Sequence, residues 1–168
     1  VQPSLWNKAD ARPATTAATA TPLHEESQMK SALILAALWL GVPGPLVEAS
    51  TEAAEQTGVA DEHLLSYLLS EHPGGRYSGA CSDAGACGPF QLVALWEQHF
   101  ELDRHDDAEA ALLFALVVDR AQQKHGQDWR ASIKCAKASR DDCAAAREWR
   151  RIERRLLELA DAIDGALP

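Results

Sequence analysis

Four cysteines in two short-range pairs constrain this chain more than any other feature. Cys81 and Cys87 enclose five residues, and Cys135 and Cys143 enclose seven. An even count at such spacings fits two local disulfides formed in an oxidising compartment. Given a turn, either spacer reaches the Cα separation of about 5.5 Å that a disulfide prefers. Four buried thiols are one alternative, since free cysteine is often buried. A four-thiolate zinc site is another, but no Cys-x-x-Cys occurs and zinc sites usually contain closer ligand pairs. Neither a metal nor a cofactor is expected. Two such staples restrict the fold to one in which a loop near 81–87 and a turn near 135–143 are each closed on themselves.

The rest of the chain reads as helix. Alanine supplies much of the apolar content, and β-branched residues are sparse after residue 59, which favours helix over strand. A weak helix over 51–57 ends at Gly58. Asp61 is placed to cap a helix over 62–72 with Leu64, Leu65, Leu68 and Leu69 at helical spacing. Pro73-Gly74-Gly75 stops it. Residues 74–88 hold five glycines and no periodicity, predicting a long loop or short irregular strands. Gly88-Pro89 is read as opening a helix to about residue 100. Asp106 or Asp107 caps a helix over 108–125 that Gly126 terminates. Asp128 starts a short helix to about 138. Asp141 or Asp142 starts a long one to about 163, with Arg147, Arg150, Arg151, Arg154 and Arg155 against Trp149, Ile152, Leu156 and Leu159. The expected class is all-α, with about five to six helices and a Gly-rich loop.

Upstream, Met29-Lys30 precedes an apolar run from Ser31 to Val42, a Pro43-Gly44-Pro45 turn and Val47-Glu48-Ala49. A basic start, an apolar stretch and a small-residue cleavage site in that order describe a signal peptide over 29–49. The run is shorter than the roughly 20 residues that span a bilayer. A buried core helix is the alternative. Residues 1–28 include the Ala-, Thr- and Pro-rich stretch 11–22, which is expected to be disordered or a spurious extension before Met29. The expected domain is therefore 50–168, exported to the periplasm or the extracellular space.

Glu71 is the principal chemical candidate. It ends an apolar helix directly before the glycine-rich loop. Desolvation there would raise its pKa and suit it to donate a proton near neutral pH. Downstream stands Ser82-Asp83-Ala84-Gly85-Ala86-Cys87-Gly88-Pro89-Phe90-Gln91. With Glu71, this resembles the lytic transglycosylases of the goose-type lysozyme superfamily, whose signature is Glu-Ser, a loop, then Ser-x-x-Gly-Ala-x-Gly-Leu-Met-Gln opening a helix. The resemblance covers about residues 60–140 and rests on Glu71, Ser82, Gly85, Ala86, Gly88 and Gln91. Pro89-Phe90 replaces Leu-Met, and His72 replaces Ser. The family's later Ala-Tyr-Asn-x-Gly corresponds to the stretch Ile133-Lys134-Cys135-Ala136-Lys137-Ala138-Ser139, which holds no Tyr or Asn, with Tyr77 or Tyr67 as candidate substitutes for its tyrosine.

The resemblance implies a lysozyme-like fold and cleavage of the β-1,4 bond between N-acetylmuramic acid and N-acetylglucosamine in peptidoglycan. Glu71 would protonate the glycosidic oxygen, then take a proton from the sugar's own 6-hydroxyl as it closes a 1,6-anhydro ring. Ser82, Gly85, Ala86, Gly88, Gln91 and Tyr77 are the expected substrate contacts. Gln91 could equally hold the loop. Hydrolysis would need a second carboxylate, for which Asp83 is the candidate, though a turn role suits it better. Two alternatives stand beside the transglycosylase: a hydrolytic muramidase, and a non-catalytic wall-binding module. The net charge of −9 argues against nucleic acid or an anionic membrane surface as partner. The expected partners are peptidoglycan glycan strands, with cell-envelope machinery as a further candidate, and the expected state is a monomer. His99, Asp103 and His105 match no standard metal spacing.

Overall fold

Helix pairing organises the domain. The computed structural model describes residues 23–77, 79–135 and 143–166, with backbone alone for 23–26. Two partnerships dominate: α2 (Gly44–Thr57) packs on α5 (Asp107–His125), and α1 (Leu23–Trp39) packs on α7 (Ala144–Asp164). Small residues permit close approach. The buried faces carry Ala49, Ser50 and Ala53 on α2, and Ala110, Leu113, Phe114 and Val117 on α5. Helix α3 (Asp61–Glu71) packs on α7, and the short α6 (Trp129–Lys134) on α5. The remaining helix, α4 (Ala94–Phe100), follows a two-stranded antiparallel sheet of β1 (Ala86–Cys87) and β2 (Leu92–Val93), which pairs Ala86 with Val93 and Cys87 with Leu92. The protein is mainly helical, as its composition requires.

The core is aromatic at its centre. Tyr67 stacks on Phe114 with centroids 4.0 Å apart and meets the Trp149 edge at 4.9 Å. Phe90 and Trp129 extend the cluster, at 5.1 Å from Phe114 and 5.0 Å from Trp149 respectively. The indole of Trp149 donates to the buried Ser66 hydroxyl at 2.9 Å, which avoids leaving a buried donor unpaired. Beside it, Arg130 makes a bidentate bond to Glu153, joining α6 to α7.

Several boundaries agree with the sequence and several do not. The Asp106 carboxylate accepts from the amides of Ala108 and Glu109, capping α5, and Gly126 ends it. Gly58 closes α2 with a left-handed φ of 74°. Asp61, in contrast, occupies the first turn of α3 and makes no cap bond; Ala60 is the cap residue. Pro89 does not open a helix. Residues 88–91 form the hairpin turn between β1 and β2, with φ of +75° at Gly88 and +46° at Gln91, and α4 begins only at Ala94. The short helix ends at Lys134 rather than near 138, and the cap residue of α7 is Cys143 rather than Asp141 or Asp142, which lie outside the described residues. Of the stretch 1–28 expected to be disordered, 1–22 lie outside the described residues and 23–28 belong to α1.

The 29–49 stretch, expected as a leader or as a core helix, packs into the core. Ala32, Leu33, Ala36, Ala37, Val42, Leu46, Val47 and Ala49 are all buried in the main core. Neither Met29 nor Ser50 marks an element boundary: α1 begins at Leu23, and α2 runs through Ser50. Among the described residues no helix is long and apolar enough to cross a membrane.

Candidate active site

Glu71 is the last residue of α3, before the His72-Pro73-Gly74 turn that ends the helix. Its side chain is 21% exposed and forms an ion pair with Lys134, itself 11% exposed, at the end of α6. The Lys134 ammonium also lies over the Tyr67 ring, 4.2 Å from its centroid. Tyr67 stands one turn before Glu71 on α3, so the two side chains share a face. Burial first, and then the neighbouring Glu71 carboxylate, hold the Tyr67 phenol well above its usual pKa. Burial pulls the Lys134 ammonium below the ordinary lysine range, against the opposing pull of Glu71. The apolar setting expected for Glu71 is therefore corrected in one respect: a buried cation faces it.

Tyr67 forms part of the wall of a groove of about 320 Å³ between β2, α4, α5 and α6. Gln91 and Trp96 line one side, and Ile133 and Ser132 the other. Glu71 is outside this lining, one turn along α3 from Tyr67. Of the loop residues expected at the substrate, only Gln91 reaches the groove. Its amide donates to the carbonyls of Ala80 and Gly88, both at 3.0 Å, so it also holds the loop.

The other loop residues are arranged as scaffold. Ser82 and Gly85 bracket a tight turn: the Gly85 amide donates to the Ser82 carbonyl at 2.8 Å, and the Ala86 amide to the Ser82 hydroxyl at 3.2 Å. Asp83 is exposed within that turn. Ala86 is in β1. Gly88 faces the backbone of Arg104, where an added Cβ would come within 1.8 Å of the carbonyl oxygen. The Arg104 guanidinium in turn donates to the carbonyls of Gly85 and Leu92, at 3.0 and 2.9 Å. The Cys81–Cys87 disulfide closes the loop, and Cys135–Cys143 staples the segment after Lys134. Both pairings are those the spacing implied.

Tyr77 and His72 lie elsewhere. Their rings meet at 4.5 Å, and a His72 ring nitrogen donates to the Pro89 carbonyl at 2.5 Å. Tyr77 lines a smaller cleft with Pro43, Pro45 and His105, its phenol pushed up to about 12 by burial. His105 lies within 4.8 Å of the Cys81 and Cys87 sulfurs, a metal-like spacing, but both sulfurs are committed to the disulfide. His99, in the weak metal pattern, instead contacts Arg120 at 2.8 Å.

Sequence reasoning missed Lys134 as the partner of Glu71. Lys134 is 63 residues from Glu71 in sequence, and no local signal in the sequence pairs them. Sequence reasoning also missed the α5 face of the groove. Val117, Arg120, Ala121, Lys124 and His125 recur at helical spacing on one face. Comparison with known proteins finds no matching family model, no matching curated protein and no matching solved structure.

Proposed function

We propose that the protein is a glycan-cleaving enzyme with a lysozyme-like domain, working with a single carboxylic acid. More particularly, it is a peptidoglycan lytic transglycosylase, exported to act on the cell wall. The observation that carries this reading is a half-buried carboxylate, Glu71, at a helix end, one turn along α3 from a tyrosine that lines a groove with no acidic residue in its lining among the described residues. Asp83, the candidate second carboxylate, is exposed in the 82–85 turn. This supports a one-carboxylate reaction over hydrolysis by a pair.

In this mechanism Lys134 is where the acid's proton rests. The ion pair lies outside the groove lining, so a glycan strand must run on past Tyr67 to cover it; there it strips water from the pair, and desolvation favours the pair's neutral form. The proton moves from the Lys134 ammonium to Glu71, which then protonates the glycosidic oxygen. As the carboxylate reforms, it takes the proton of the 6-hydroxyl, the 1,6-anhydro ring closes, and the proton returns to Lys134. The Tyr67 ring, under the Lys134 ammonium, keeps that cation beside the carboxylate.

A second reading is favoured by the same ion pair. A Glu71 fixed on Lys134 and set outside the groove lining suits a wall-binding module without activity. One pair of variants separates the readings. Glu71→Gln keeps shape but cannot carry a proton, and it should abolish muropeptide release while leaving wall binding intact. Asp83→Asn should release normally. No release by the unmodified protein would favour the module, and equal loss in both variants would favour a two-carboxylate hydrolase.

A further inference from the structure

The groove's charge is opposite to that of the chain. Asp and Glu outnumber Lys and Arg by 25 to 16, yet the groove is lined by Arg120, Lys124 and His125 and by no carboxylate among the described residues. A groove that merely sampled this surface would carry more acid than base. The α5 sequence produces the bias: Val117 and Ala121 face inward while Arg120 and Lys124, a turn apart, follow the same edge of the helix. Carboxylates on α5 fall off that edge, and Asp119 is engaged by Gln123 at 2.8 and 2.9 Å.

The two cations differ in how they are held. Arg120 is steadied by His99 at 2.8 Å, and His99 meets the edge of Trp96 with centroids 6.4 Å apart. Trp96 therefore offers an apolar ring in the groove beside a fixed guanidinium. Lys124 is exposed and has no anionic partner among the described residues. A flat apolar ring suits the face of a pyranose, and an adjacent guanidinium with a second, unpaired ammonium suits a carboxylate.

We infer that Arg120 and Lys124 form a carboxylate subsite that makes the groove select acidic glycans over neutral ones. The inference rests on the glycan reading above and adds the specificity-determining residues to it. The carboxylate could be the lactyl group of a muramic acid or the free end of a peptide attached to it. Both present the same chemistry to the pair.

The test uses the full chain and ligands that contain no cleavable muramic acid–glucosamine bond. Binding is measured by calorimetry for three probes: N-acetylglucosaminyl-N-acetylmuramic acid, the same disaccharide carrying a stem peptide, and neutral, fully N-acetylated chitobiose. The expected result is an acidic disaccharide bound about tenfold more tightly than chitobiose, the range open to charge-assisted contacts at a partly exposed site. Arg120→Gln with Lys124→Gln should erase that difference and leave chitobiose affinity unchanged, with the circular dichroism spectrum preserved. A gain for the peptide-bearing probe alone would assign the subsite to the peptide carboxylate. Equal affinity for acidic and neutral sugars, or a preference that survives the double variant, would overturn the inference and leave the glycan reading standing. Binding of none of the three would overturn both.

Discussion

Removing residues 1–49 should unfold the protein. A chain beginning at Ser50 is what cleavage after Ala49 would leave, and it lacks all of α1 and the first turns of α2. The lost segment includes four large buried aliphatic side chains, Leu33, Val42, Leu46 and Val47, each at most 6% exposed, together with the buried Ala32, Ala36, Ala37 and Ala49. Burying each aliphatic side chain is worth about 1.5–3 kcal/mol, so the four alone contribute roughly 6–12 kcal/mol. That equals the whole net stability of an ordinary domain, about 5–15 kcal/mol. The loss also uncovers the faces of α7 and α5 against which α1 and α2 pack. The assay is thermal and urea denaturation of the 50–168 fragment beside the full chain, followed by circular dichroism and tryptophan fluorescence. A fragment without a cooperative transition is the expected result. A sharp transition within a few degrees of the full chain would refute the reasoning. Residues 29–49 would then be free to act as a leader.

Three further outcomes follow from particular contacts. Replacing either cysteine pair with serine should cost ~2–3 kcal/mol, because the closed loops are short, and lower the melting temperature by roughly 5–10 °C in calorimetry. Gly88→Ala should cost about 2–4 kcal/mol in urea titration, combining the collision with the Arg104 carbonyl with an unfavourable positive φ. Lys134→Arg should keep the ion pair but lose at least tenfold in muropeptide release, since arginine does not surrender a proton; undiminished release in Lys134→Arg would remove Lys134 from the proton path.

How far the sequence reached depends on how local each signal is. Helix α5 was legible because its cap, periodicity and terminating glycine all lie within its own length. The hairpin at 88–91 was not. Gly88-Pro89 has the composition of a helix start, and what makes it a turn is tertiary: Arg104 packed against Gly88 and the Gln91 amide tied to Ala80. The 29–49 run was ambiguous for a different reason. Apolar residues lie on both its buried face, such as Ala36 and Ala37, and its open one, where Leu35, Leu38 and Trp39 are exposed. A run that is apolar all round carries no periodicity to distinguish a core helix from a leader. At the site, Glu71 could be singled out from its helix end and loop. Its cation is 63 residues away, and nothing local to either residue announces the pair.

The mass of the glycan ends tests the central claim most directly. Purified peptidoglycan is digested with the oxidised full-length protein, and the soluble muropeptides are analysed by mass spectrometry without prior reduction. The account predicts muramic acid ends one water lighter than free reducing ends, their formation lost in Glu71→Gln. Ordinary reducing ends, or release of anhydro ends undiminished in Glu71→Gln, would contradict it.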